Sequence, residues 1–96
     1  MNQAPTITVQ IPGVLREYCE GASVLTLAAP TVRAALEHLE LDHAALHRNI
    51  RDETGRVRRH VNVFVNSDNT RDLPDGIDTR LVPGDIVTIM PAVSGG

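Results

Sequence analysis

The sequence has no lysine and no tryptophan, a single cysteine and only two aromatic residues, Tyr18 and Phe64. Each scarcity closes a route. All nine basic residues are arginine, so no side chain offers a primary amine, and chains cannot be built on the protein's own lysines. Cys19 by itself cannot close an intramolecular disulfide. With two aromatics the core must be aliphatic, drawn from Val, Leu, Ile and Ala. No apolar run approaches the roughly eighteen residues needed to cross a bilayer. The opening MNQAPTITVQ lacks the basic and apolar regions of a signal peptide, so the expected location is cytoplasmic, with no membrane partner. Positive charge is also short: the formal net charge is −3, whereas a nucleic-acid binder needs a clustered basic surface. The one basic cluster, Arg56, Arg58, Arg59 and His60, is too short to reverse that, and most such runs are simply solvated.

What is present fits one domain of 96 residues with a single core. Thr6 to Ile11 alternates, Ile7, Val9 and Ile11 against Thr6, Thr8 and Gln10, and stops at Pro12-Gly13. Ser23 to Ala28 is a second strand, making a hairpin with the first. From Pro30-Thr31 a helical pattern opens, with Val32, Ala35, Leu36 and Leu39 at i, i+3, i+4 and i+7 and Thr31 as its N-cap. Ala45, Leu46 and Ile50 either continue it or form a second turn. After a polar loop from Arg51 to Arg58, His60 to Asn66 alternates again, with Val61, Val63 and Val65 toward the core and Phe64 out of phase with them. Leu81 to Asp85 is a tight turn feeding a last strand, Ile86 to Met90, closed by Pro91. The fold class expected is α+β: a mixed sheet of four to five strands on one main helix. Residues 1–91 would be the domain and 92–96 a flexible tail.

That tail carries the chemistry. Two terminal glycines occur by chance in roughly one sequence in two hundred at glycine's usual frequency of about 7%. A frayed end also collects small residues. The context favours function, because a strand closes at Pro91 and Ala92, Val93, Ser94, Gly95 and Gly96 follow at once. Five residues extend about 16 Å, and glycine allows close backbone approach, so such a tail can thread a narrow tunnel in a partner. A terminal carboxylate is a poor electrophile until its charge is masked. Attack on the α-phosphate of ATP makes an acyl-adenylate, which a sulfur nucleophile converts to a thiocarboxylate.

The stretch Val61-Asn62-Val63-Phe64-Val65-Asn66 and the run from Pro83 through Ile86-Val87-Thr88-Ile89-Met90-Pro91-Ala92-Val93-Ser94-Gly95-Gly96 resemble the ubiquitin-like sulfur carriers of the ThiS/MoaD type, whose fold is the β-grasp. Among the branches of that family the chain is most similar to the CysO-type carriers of cysteine synthesis. The resemblance implies that Gly96 is adenylated by an E1-like enzyme of the MoeB/ThiF type, using ATP, and then carries sulfur as a thiocarboxylate, with Gly95 needed for threading. Ser94 departs from the alanine common before the Gly-Gly. It further implies a sulfur-accepting synthase as partner, cysteine-synthase-like or of another pathway, and a metalloprotease in the cysteine route. The domain would hold no catalytic residue, metal or permanent cofactor of its own. Thiamin, molybdopterin or a thio-modified metabolite are alternative destinations; a ubiquitin-like modifier and a β-grasp module that ignores its tail are alternative functions.

Phe64 and Met90 are expected to share the open face of the sheet as a docking patch beside the tail. His43 and His47 are spaced i, i+4 without a third ligand, which reads as a solvated pair rather than a metal site. Cys19 has no motif around it and reads as structural.

Overall fold

The computed structural model describes residues 4–91. The chain runs through β1 (Thr6–Gln10), a 3-10 segment (Gly13–Cys19), β2 (Val24–Ala28), α1 (Val32–Asp42), α2 (Ala44–Ile50), β3 (Val61–Val65), the two-residue β4 (Asp68–Asn69), two short 3-10 turns (Thr70–Asp72 and Gly76–Asp78) and β5 (Ile86–Pro91). The strands form one mixed sheet in the order β2-β1-β5-β3-β4. Only β1 and β5 are parallel; the other neighbours are antiparallel.

Strand alternation places one row inward. Ile7, Val9, Val61, Val63, Val65, Val87 and Ile89 are buried, with Leu25 and Leu27 of the edge strand partly so. Across from them lie Val32, Ala35, Leu36 and Leu39 of α1 and Leu46 and Ile50 of α2. Apart from Cys19 the core is aliphatic, as the composition requires. Burying a Leu or Ile side chain contributes roughly 1.5–3 kcal/mol, so this row is what holds sheet and helices together.

α1 begins where the sequence places it. The Thr31 Oγ1 accepts the Ala34 amide at 3.1 Å and satisfies one of the donors orphaned at a helix start. Its apolar stripe ends at Leu39, since the next inward positions are Asp42 and His43, and His43 leaves helical geometry at φ −141°. α2 then starts as a separate helix and packs on α1 and on the 3-10 segment. Leu46 and Ile50 keep the phase of the α1 stripe, which is why the sequence leaves one helix and two equally open.

Two features differ from the sequence expectation and one that it left open is decided. The link between β1 and β2 is a 3-10 segment that buries Cys19, rather than a simple hairpin turn. The main helix is α1, and the second turn that the sequence leaves open forms as the shorter α2. The last strand extends one residue further, through Pro91, which is opposite Val61. The turn before it depends on Gly84, whose φ of 88° lies in the left-handed region that residues with a Cβ avoid. Its amide donates to the Thr6 carbonyl at 3.1 Å, fastening the turn to β1.

Candidate functional site at the open sheet face

β5 lies at the centre of the sheet and leads toward residues 92–96. On one side it pairs with β3 over its whole useful length, from Val65–Val87 to Val61–Pro91. On the other it pairs with β1 for only three positions, the last being Gln10–Thr88. β1 stops because the chain turns at Pro12, which has no amide hydrogen to extend a ladder and instead starts the 3-10 segment. The end of β5 is therefore anchored on one flank. On the other it borders a cavity of about 430 Å³, whose lining includes Gln10, Pro12, Arg16, Val24, Thr88 and Met90.

The outward residues form a continuous row across all five strands, Val24, Gln10, Thr88, Phe64 and Asn69, fixed by successive register pairs. Thr88 Oγ1 donates to Gln10 Oε1 at 3.1 Å within it. Phe64 stands half-buried in this row, and Met90, opposite Asn62, is its diagonal neighbour on the same face. Met90 is 46% exposed and Val24 50%, with Ile86 on the same face. The face expected for Phe64 and Met90 is thus the face they occupy.

Two arginines flank this apolar strip. Arg71 donates from Nη1 to Asn62 Oδ1, which also accepts from Asn69 Nδ2 at 3.3 Å, and from Nη2 to the Arg58 carbonyl at 3.0 Å. Arg16 Nε donates to the Ile11 carbonyl at 3.1 Å on the opposite side. Sequence reasoning did not find these two. The only available signal was Asn62, a polar residue between buried valines in a strand, which needs a partner.

The tail positions Ala92, Val93, Ser94, Gly95 and Gly96 lie outside the described residues. His43 and His47 are not a solvated pair. His47 is buried, and its Nε2 accepts from Arg51 Nε at 2.8 Å, so the ring is neutral and carries its proton on Nδ1. Burial, and then the Arg51 charge, hold its pKa below the ordinary 6.5. Among the described residues no three His, Cys, Asp or Glu side chains gather as metal ligands. Cys19 is buried, with Sγ 3.4 Å from the Ala22 carbonyl. Arg56 and Arg59 are exposed, whereas Arg58 is half-buried.

No helix among the described residues is long and apolar enough to cross a membrane. The model of the ThiS family matches residues 9–96. The sulfur carrier protein CysO of Mycobacterium tuberculosis is 34% identical over 92 residues, covering 94% of this chain and 98% of that protein. The CysO in the crystal structure of the Amycolatopsis orientalis BexX/CysO complex matches with a TM-score of 0.82 at 32% identity, over 94% of this chain and 99% of that one. Small archaeal modifier protein 1 of Methanosarcina acetivorans matches with a TM-score of 0.81 at 30% identity over the full length of both. The fold is the ubiquitin-like β-grasp shared by these proteins, and the chain belongs to the ThiS family.

Proposed function

We propose that this protein is a cytoplasmic sulfur carrier, a protein substrate rather than an enzyme, which takes sulfur as a thiocarboxylate on Gly96. The observation that carries the reading is the family match, which runs through residue 96, together with a central strand that ends five residues earlier at Pro91. In this reading an E1-like enzyme lets the Gly96 carboxylate attack the α-phosphate of ATP, releasing pyrophosphate. A sulfur nucleophile then adds to the acyl carbon and displaces AMP. Gly95 offers no Cβ to the walls of the partner's tunnel, and Ala92, Val93 and Ser94 are small enough to follow. Residues 4–91 serve as the body by which partners hold the tail, through Phe64 and Met90 flanked by Arg16 and Arg71. Mixed apolar and arginine surfaces of this kind suit a partner face bearing aliphatic and acidic side chains. That a CysO is found in complex with BexX supports docking by a folded partner.

The acceptor proposed first is a cysteine-synthase-like enzyme, with a metalloprotease releasing the product, in line with the CysO relatives. The test is intact mass spectrometry of the protein from its native host. One oxygen replaced by sulfur at Gly96 is the expected result; protein made without an activating partner should carry the plain carboxylate. A permanently extended or amidated Gly96 that still supports sulfur transfer would overturn the proposal.

The likeness to the archaeal modifier favours a second reading, attachment of Gly96 to lysines of other proteins. Absence of lysine here excludes chains built on its own side chains but not single attachment. Isopeptide-linked Gly96 on cellular proteins, without thiocarboxylate, would select that reading.

A further inference from the structure

On the helix side of the molecule a cleft of about 540 Å³ opens between α1, α2 and the loop that follows α2. Arg51 lines it with a side chain only 6% exposed. Its Nε is committed to His47 Nε2. Nη1 and Nη2 have no hydrogen-bond acceptor among the described residues; the nearest carboxylate oxygen, Glu40 Oε1, stands 3.9 Å from Nη2. Among the described residues no buried side-chain nitrogen is both unpartnered and sealed from solvent, so these two nitrogens keep contact with solvent at the cleft that Arg51 lines. A guanidinium taken largely out of water with its planar fork unfilled is costly to hold, because the hydration it lost is not replaced. An oxyanion accepting two parallel N–H bonds restores the balance.

The backbone gathers further cations to the same place. Arg51 and Val57 form an isolated bridge, and the Arg58 amide donates to the Ile50 carbonyl at 2.8 Å. Arg58 Nε donates to the Arg48 carbonyl at 2.8 Å, which ties the returning loop to α2. Arg48 and Arg58 thereby line the cleft with Arg51. Four acids and Arg33 line it too. Asp52 Oδ1 is occupied by the Thr54 amide and hydroxyl and the Arg56 amide, and Arg33 is paired with Asp78 at 2.7 Å. Glu40 is exposed and pairs with Arg51 only at the long distance of 3.9 Å, and Glu37 and Glu53 are exposed. His47 presents a lone pair to Arg51 and adds no charge.

We infer that this cleft is a phosphate-binding site, in which the Arg51 fork holds a phosphate group in its plane and Arg48 and Arg58 close on its remaining oxygens. A tetrahedral dianion suits the site better than a carboxylate, since it has acceptors enough for more than one guanidinium.

The experiment is a titration of the uniformly ¹⁵N-labelled full chain with inorganic phosphate at neutral pH and fixed ionic strength, with acetate and chloride as comparators. Saturable shifts confined to amides 47–58 and the Arg51 Nε–H, stronger for phosphate than for acetate, are expected. Arg51→Lys keeps the charge but removes the fork and should weaken binding about tenfold. Because that change also touches His47, Arg48→Gln, at an exposed position whose side chain makes no hydrogen bond among the described residues, provides a second measure. It should weaken phosphate binding about tenfold while the unfolding midpoint without phosphate stays put. Non-saturating shifts, shifts matched by acetate or chloride, or an Arg48→Gln variant that binds phosphate undiminished would overturn the site.

Discussion

His47 sits where a proton is unwelcome. Its Nε2 accepts from Arg51, so a proton there would remove that bond and set two cations in contact, with Arg48 adding to the repulsion and only Glu40 opposing it. The unfolded chain takes up this proton near the ordinary 6.5 and the folded chain resists it. Stability from this source is therefore complete above that value and declines as pH falls below it. Denaturant unfolding across the mildly acidic range should show the decline. His47→Gln, which supplies a carbonyl for Arg51 but cannot titrate, should flatten it. Asp52, held low mainly by its Thr54 hydrogen bond, and Asp78, held low mainly by Arg33, lose their contributions only below the ordinary carboxylate pKa of 3.8, so the two effects separate along the pH axis. The burial of His47 was not legible in the sequence, where an i, i+4 histidine pair looks the same whether solvated or packed.

At the scale of elements, α1 is specified by its own residues. The Thr31 cap, the stripe from Val32 to Leu39 and the arrival of Asp42 and His43 where apolar residues are needed set its start, face and end. Thr31→Ala should cost about 1 kcal/mol, read as a shift of the denaturant midpoint with an unchanged slope. Strand β3 was equally legible, since three valines alternating with Asn62 and Phe64 admit only one inward face. The 3-10 segment between β1 and β2 was not. Its seven residues show neither period, and it is held by contact with α2 and by burial of Cys19 rather than by its own pattern. The division of residues 32–50 into two helices was also closed to sequence reasoning, because both arrangements present Leu46 and Ile50 to the core in the same phase.

For the whole molecule, the two faces of one sheet have different duties, and substitution separates them. Leu36, fully buried between α1 and the sheet, should lose about 2–5 kcal/mol of stability on replacement by Ala. Phe64→Ala, on the opposite face, should leave the fold intact and weaken binding to an activating enzyme, measurable by titration; unchanged affinity would remove the docking patch. Periodicity decided which of these residues faces the core: Leu36 belongs to the 3.6-residue apolar stripe of α1, and Phe64 is out of step with the inward valines of β3. The aliphatic core, the N-cap of α1 and membership of a family carrying Gly95-Gly96 were likewise written in the chain. Only the tertiary structure decided that β5 lies between β1 and β3, that Arg71 and Arg16 flank the Phe64–Met90 strip, and that Arg51 is buried with its fork open. Those facts depend on which distant segments pair, and long-range pairing is chosen by the burial of the whole core at once, not by any local window of residues.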